Sequence, residues 1–438
     1  MNLLQQILPI VLVSSLRFFG LFVVMPVISI YAISLGASPL IAGLAVGGYA
    51  LTQIIFQIPF GILGDRYDKH LIIALGLVIF IIGSLLCALT DNVYLLVLGR
   101  MLQGSGAIAS VISALISDLS PAEYRTKAMA FMGAGISIAF LFAMLLGPFI
   151  GGHYGIKVLF YITAFLALLA LIILFKSPKA QSVIYSYHSS NQVSYLKDAN
   201  LWLMYISAFL QKALANLSFV IIPLVLLQDF NIANNELWKF YTPAGILGIL
   251  AIAPATIVAE KYGRYKTMMV IGILAFILCF VFFCISDSHH LLWLFSLGIF
   301  VFFMGFNIHE PIMQSLTSRY PHSSQRSSAL GLFTTCGFLG SFLGAILGGV
   351  LYSHIGLYYL SLGTGIVCFL WILALIFILR NPQKQKTLFL PLAQAPLNQL
   401  SSIQGIIDYY HTQDLCVISY DPTQTDEEKI KEDLRKMQ

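Results

Sequence analysis

The chain is a succession of long apolar runs separated by short polar loops. Twelve runs are long enough to cross a bilayer: 7–34, 39–63, 70–90, 92–116, 127–150, 156–175, 200–227, 239–259, 267–286, 290–316, 326–352 and 356–379. A hydrocarbon core about 30 Å thick takes about 20 helical residues to cross. Lipid offers no partner to unpaired backbone groups, so each run is predicted to be an α-helix. Residues 1–384 divided by twelve leave 32 for each span with its connection. The first run is expected to stay as span 1. It is longer than a signal-peptide core, no Lys or Arg precedes it, and no A-x-A cleavage site follows.

The loops sort by charge. Even-numbered loops carry Arg66, Lys69, Arg125, Lys127, Lys176, Lys179, Lys197, Lys261, Arg264, Lys266, Arg319 and Arg326, whereas odd-numbered loops carry only Lys157 and Lys239. Basic loops stay on the cytoplasmic side. The bias therefore predicts an inner (plasma) membrane protein with both termini and the 176–199 connection cytoplasmic. That Ser- and Tyr-rich connection reads as a linker joining six spans to six, 1–175 before it and 200–380 after it.

The two sets of six repeat each other. Asp65-Arg66 after span 2 recurs as Glu260-Lys261 after span 8, 195 positions on (260 minus 65). Pro121 and Arg125 before span 5 recur as Pro321 and Arg326 before span 11, and Gly147 recurs as Gly348. Parallel six-helix repeats are the architecture of a transporter with its substrate site between the halves near the membrane midplane. The predicted fold class is therefore an all-α, 12-helix polytopic membrane protein.

At these residues the sequence resembles the major facilitator superfamily over about 1–380, and within it the 12-span drug/proton antiporters. Gly61-x-x-x-Asp65-Arg66 is similar to the family signature G-x-x-x-D-R-x-G-R-K, with Asp68, Lys69 and His70 where the family has Gly, Arg and Lys. Arg100-x-x-Gln103-Gly104-x-Gly106-Ala107 resembles the proton-linked motif of span 4. Gly133…Gly147-Pro148-x-x-Gly151-Gly152 resembles the antiporter motif of span 5. A closer likeness is to the YajR-type antiporters, carried by 17–22, 53–61, 103–109 and 125–131. The resemblance implies alternating access between two rocking halves. Asp65 would close the cytoplasmic side against the N-terminus of span 11, with Gly61, Arg66, Asp118 and Arg125 completing the gate. Arg100 would serve proton coupling, and the span 5 glycines would seal one side of the cavity.

Composition agrees with lipid as the solvent. Hydrophobic residues make up 58% of the 438 and charged ones 10%, against about 25% charged in soluble domains. Mean hydropathy is +0.87. The 34 Gly suit closely packed membrane helices. Cys87, Cys279, Cys284, Cys336, Cys368 and Cys416 form no C-x-x-C pair, and five lie in apolar runs. They read as small buried hydrophobes, with no metal site and no disulfide framework.

Residues 385–438 change character, with Asp408, Asp414, Asp421, Asp426, Glu427, Glu428, Glu432 and Asp433 against Lys386, Lys429, Lys431, Arg435 and Lys436. Strands are predicted at 387–392, 405–411 and 414–420, a short helix at 397–403, and a C-terminal helix capped by Thr425. This β-α-β-β-α order resembles an incomplete ferredoxin-like domain of the heavy-metal-associated type without its Cys pair, as found after span 12 in YajR-type proteins. It reads either as a folding aid or as a regulatory domain.

Charges inside spans need a reason, since each costs about 2.5–3.5 kcal/mol at the helix centre. Arg17, Arg100, Lys212 and Glu310 are four such groups, with His309 beside Glu310. Proton-driven exchange needs a group charged in one state and neutral in the other, and a desolvated carboxylate suits this. Glu310, with Arg100 and His309, is therefore assigned to proton coupling. Many drug antiporters carry an acid in span 1, where this chain has Arg17. Arg17 either snorkels or anchors a carboxylate. With Gln53, Gln57, Lys212, Asn216 and Asn307 it forms the expected polar lining of the cavity, although Gln53 and Gln57 could instead bond across helices.

The expected function is a proton-coupled secondary transporter, without a cofactor, that exports small hydrophobic or amphipathic molecules. The alternatives are a proton-coupled importer on the same fold and a transporter-like sensor. Partners are the solute, protons and the bilayer, with no nucleic acid, and the protein is expected to be a monomer. An enzyme is not expected, because no H-E-x-x-H, nucleophile elbow or phosphate-binding loop occurs.

Overall fold

A computed structural model describes residues 3–120, 124–178, 186–187, 196–321, 325–380, 382, 386–392, 400, 403–411 and 415–437. The first set of helices is α1 (Leu3–Phe22), α2 (Ile28–Ser34), α3 (Pro39–Arg66), α4 (Lys69–Leu89), α5 (Val93–Ser105), α6 (Ala109–Leu119), α7 (Arg125–Tyr154) and α8 (Ile156–Lys176). A two-residue strand, β1 (Ser186–Tyr187), precedes the second set: α9 (Ala199–Gln228), α10 (Trp238–Lys261), α11 (Tyr265–His289), α12 (Leu292–Arg319) and α13 (Arg326–Ile378). Among the described residues ten helical stretches are long and apolar enough to span a bilayer. One of them, α13, holds two spans either side of Gly356, whose φ of 73° lies in the left-handed region that glycine tolerates. With α1–α2 as the first, the spans number twelve.

The polar loop residues start the helices. The Ser38 hydroxyl accepts from the Ile41 N–H ahead of Pro39, and the Asp68, Asn92 and Asp198 side chains each accept from the N–H two residues on. Each satisfies a donor that the first helical turn leaves free.

Two expected spans are not continuous. The first breaks between Phe22 and Ile28, and the fourth between Ser105 and Ala109. The second break has a packing cause. A Cβ on Gly104 would meet the Tyr49 carbonyl, and one on Gly106 the Gly76 carbonyl, so these glycines bring the backbone of α5 onto α3 and α4.

The two halves touch at one end of the bundle and part at the other. At the first end, a Cβ on Gly43 would lie 2.6 Å from the Ala345 carbonyl, and one on Gly152 2.6 Å from the Asn234 carbonyl. The Ser29 hydroxyl donates to the Phe219 carbonyl at 3.5 Å. At the second end, which carries the basic loops, a Cβ added to Gly133 of α7 or Gly331 of α13 would meet nothing within 4 Å among the described residues. Ile55, Ile58 and Ile62 on the same stretch of α3 are exposed.

The C-terminal segment forms an antiparallel sheet of β2 (Lys386–Pro391), β3 (Ile406–His411) and β4 (Leu415–Tyr420), followed by α14 (Glu427–Met437). Leu388, Leu390, Cys416 and Ile418 of the strands pack with Ile430 and Leu434 of α14. The expected helix at 397–403 falls largely outside the described residues. Two points differ from expectation. The Asp426 carboxylate, not Thr425, caps α14, accepting the Lys429 N–H at 2.8 Å. The sheet also gains a fourth strand from the 176–199 connection, since β1 pairs with β3 to give the order β1-β3-β4-β2.

Candidate functional site

The two charges expected within the second half meet each other. Lys212 of α9 donates from Nζ to Glu310 Oε2 of α12 at 2.8 Å. The other carboxylate oxygen accepts from Gln314 Nε2, one turn along, at 3.1 Å. The side chains are 29% and 24% exposed, so the pair reaches an open space although it lies at mid-span. The Lys212 ammonium also sits 5.0 Å from the centroid of the Phe306 ring. Gln211 Nε2 donates to the Phe306 carbonyl, and Asn216 Nδ2 to the Lys212 carbonyl. Pro311 follows Glu310 and has no N–H for the carbonyl of Asn307, which loosens α12 next to the carboxylate.

Phe306 belongs to an aromatic line that crosses from one half to the other. It stacks on Phe140 of α7 at 5.9 Å, Phe140 meets Phe22 of α1 edge-on at 5.2 Å, and Phe22 stacks on Phe18 at 5.7 Å. The Arg17 guanidinium lies 5.4 Å from the Phe18 ring. Four rings therefore run between two cations, with the single carboxylate of Glu310 at one end.

Within its spans the first half holds two guanidinium groups, Arg17 and Arg100, on carbonyl and amide oxygens. Arg17 is buried, donating from Nη2 to the Gly106 carbonyl at 2.7 Å and to Gln53 Oε1 at 3.2 Å. Gly106 stands in the break between α5 and α6, so Arg17 takes a carbonyl at a point where the helix is interrupted. Gln53 passes the contact on, donating to Gln57 Oε1 at 3.1 Å. Arg17 Nε and Nη1 are buried and have no hydrogen-bond partner.

Arg100, also buried, donates to Gln103 Oε1 at 2.6 Å and to the Ala45 carbonyl at 3.1 Å, and stands 5.1 Å from the Tyr49 centroid. Gln103 in turn donates to the Ser84 hydroxyl at 2.8 Å. Among the described residues neither guanidinium has a carboxylate within 4 Å.

The remaining candidates separate from this cluster. His309 is buried on another face of α12, 4.9 Å from Trp371 and 6.3 Å from Phe276, and neither ring nitrogen has a partner. Asn307 Nδ2 donates to the Phe303 carbonyl of its own helix at 2.8 Å and packs against Gly248 of α10.

At the basic-loop end, Asp65 and Arg66 are exposed. Asp65 has no ion-pair partner among the described residues, in keeping with the separation of the halves there. Asp118 pairs with Lys69 at 3.0 Å, a partner that the expected cluster of Arg66, Asp118 and Arg125 did not include. Arg125 opens α7, but its side chain lies outside the described residues. Gly61 faces Ser110, with 3.8 Å from an added Cβ to its hydroxyl.

In the span 5 run, Gly133 borders open space and Gly147 packs on the Val23 carbonyl. Gly151 packs on Leu159, and Gly152 on the Asn234–Asn235 backbone of the other half. Pro148 lies within α7.

Sequence reasoning missed Gln314 and the aromatic line. Gln314 could have been found, because position i+4 from Glu310 shares its helix face. Phe18 and Phe22 stood in the 17–22 stretch without a role, and nothing set Phe140 and Phe306 apart among 32 phenylalanines.

The family model for the Major Facilitator Superfamily matches residues 10–345 and, in a second alignment, 201–407. The chain belongs to the Major Facilitator Superfamily. Among its superfamily relatives, the inner membrane transport protein YajR of Escherichia coli K12 is 34% identical over 343 residues, covering 77% of this chain and 75% of YajR. The quinolone resistance protein NorA of Staphylococcus aureus MSSA476 is 27% identical over 351 residues, covering 77% of this chain and 87% of NorA. The crystal structure of a D-xylose-proton symporter superposes with a TM-score of 0.69 at 16% identity, covering 86% of this chain and 98% of that one. This superfamily member is a multi-pass membrane transporter with a small α+β domain after its last span.

Proposed function

We propose that the protein is a proton-coupled secondary active transporter that moves small amphipathic molecules by alternating access. Glu310 is the coupling carboxylate and Lys212 its counter-charge. The observation that carries this reading is the 2.8 Å Lys212–Glu310 pair, partly exposed beside aromatic rings contributed by both halves. A proton on Glu310 removes one charge of the pair and leaves the ammonium without its partner. In a low-dielectric interior that is a large local change, able to bias which of two arrangements of the halves is preferred. The halves joined at one end and separated at the other correspond to one of those arrangements. With the basic loops cytoplasmic, as the charge bias implies, it is the inward-open one.

The substrate is held on the line Phe18–Phe22–Phe140–Phe306, flanked by Arg17, Gln57 and Lys212. Asp65, Arg66 and Gly61 form the inner gate, closing when the basic-loop ends meet. Gly147, Pro148, Gly151 and Gly152 hold the opposite end shut. Arg100 keeps α3, α4 and α5 together through Ala45, Gln103 and Ser84. Export in exchange for protons is supported by the span 5 run and by the likeness to NorA.

A second reading, uptake of a solute together with a proton, is favoured by one observation: the partner of the carboxylate is a lysine of the protein itself, which a proton releases for a new ligand.

Everted vesicles containing the full chain test direction. With the vesicle interior acidified, export predicts that an amphipathic fluorescent dye accumulates inside, and that Glu310→Gln at equal membrane level does not accumulate it. Absence of any proton-driven flux, inward or outward, over a panel of amphipathic dyes refutes the coupling.

A further inference from the structure

We infer that the preferred substrate class is an organic anion with an aromatic body, bound together with a proton on Glu310. This rests on the proton-coupled reading above and names the ligand of the same site.

Three facts converge. Within the spans, away from the helix ends, three cations, Arg17, Arg100 and Lys212, stand against the one acid, Glu310. The aromatic line is bounded by a cation at both ends, with the Arg17 guanidinium over Phe18 and the Lys212 ammonium over Phe306. Arg17 keeps two buried donors, Nε and Nη1, that no group among the described residues takes. A surplus of positive charge in a low-dielectric interior repels cationic ligands and stabilises an anion. A planar apolar body lies along stacked phenylalanines at the spacing aromatic pairs prefer.

The ion pair then sets the order of events. While Glu310 is ionised, Lys212 is occupied at 2.8 Å. A proton from the aqueous phase binds the carboxylate and is held there, the ammonium keeps its own proton, and the released charge pairs with the ligand anion. Proton and anion therefore bind as a neutral couple and favour each other, so anions move in the same direction as the proton, which is the uptake reading of the proposed function and not the exchange reading.

Among the described residues Lys212 is the charged group that faces Glu310. On α12 itself Gln314 bonds the carboxylate, and His309 faces Trp371 of α13. Glu260 of α10 and Tyr265 of α11 face Arg319, nine residues or about 13 Å further along α12. Cys279 and Cys368 are buried between α11 and α13, and Cys336 on α13 is half-buried.

The test uses the full chain in lipid nanodiscs and three probes that share one ring system: 1-naphthoate, 1-naphthylmethylammonium and 1-naphthylmethanol. Binding is measured calorimetrically in buffers of different ionisation enthalpy, from pH 5 to 8. The expected result is that naphthoate binds more tightly than the other two, with uptake of close to one proton. Its affinity should fall with rising pH, by about tenfold per unit wherever binding takes up one full proton. In Glu310→Gln, naphthoate binds without proton uptake and without that pH dependence, and Lys212→Arg retains proton-linked binding.

The inference is overturned if the ammonium probe binds more tightly than naphthoate, if naphthoate binds with no proton taken up, or if none of the three binds. The wild-type measurement alone decides this, whatever the variants do. Ammonium binding with release of a proton would overturn the anion class while leaving the proton-coupled reading standing. If none of the probes exchanges a proton and no proton-driven dye flux occurs in vesicles, both fall.

Discussion

Removing either member of the Lys212–Glu310 pair leaves the other charge without its partner at mid-span. Breaking a fully buried pair from one side costs about 3–5 kcal/mol, while an exposed pair is worth about 0.2–1 kcal/mol. With side chains 29% and 24% exposed, this pair falls between those limits. Each of Lys212→Gln and Glu310→Gln should then destabilise the second half by about 2 kcal/mol, roughly a thirtyfold change in the unfolding equilibrium.

The double variant places two neutral amides face to face, able to bond each other and Gln314. It should therefore be less destabilised than the sum of the singles, with a coupling energy of about 1–2 kcal/mol. The assay is denaturant unfolding of the purified protein in mixed micelles, followed by fluorescence of Trp202 and Trp371, both in this half. If the two substitutions add to within about 0.3–0.5 kcal/mol, the charges do not depend on one another and Glu310 loses its claim as the switch.

Gly104→Ala drives a methyl group into the Tyr49 carbonyl and the Thr52 hydroxyl, so α5 must move off α3; a loss of about 1–3 kcal/mol should appear as a lower thermal midpoint. Gly43→Leu wedges α3 away from Ala345 and should open the end where the halves now touch, raising the rate at which Ser29→Cys reacts with a membrane-impermeant thiol reagent. In the C-terminal domain, the Thr423 hydroxyl and backbone N–H hold the Asp421 carboxyl below its usual range. A native value below the unfolded one means the stabilisation is present above the unfolded carboxylate range, near 3.9, and is lost as pH falls through the native value. The protection factors of β4 and α14, that is exchange corrected for its intrinsic pH dependence, should therefore fall on acidification, and Asp421→Asn should remove that step. Tyr187→Pro deletes one of the two residues that pair β1 with β3, and should raise exchange at Tyr410 and His411 while leaving β4, flanked by β2 and β3, protected.

The sequence by itself determined the spans, because in lipid every backbone group must be paired locally and apolar length translates directly into helix. Expected and observed boundaries agree to within about four residues at most ends, and the C-terminal strands at 387–392, 405–411 and 414–420 stand within one residue of β2, β3 and β4. The duplication was legible for the same reason, since Asp65-Arg66 and Glu260-Lys261 recur at matching loops whatever their partners. The charges at mid-span announced themselves by their cost, so Arg17, Arg100, Lys212 and Glu310 were all visible as candidates. What each one touches was not. Lys212 and Glu310 are 98 positions apart, and only the packing of α9 on α12 made them partners. The same packing turned His309, next to Glu310 in sequence, away towards Trp371. The breaks at 23–27 and 106–108 fall inside long apolar runs, and although Pro26 and the Gly104-Ser105-Gly106 run stand at them, only the packing of Gly104 and Gly106 on neighbouring backbones showed that the helix stops there. The aromatic line needed the tertiary structure altogether, since Phe140 and Phe306 serve lipid and cavity equally well until the two halves are brought face to face.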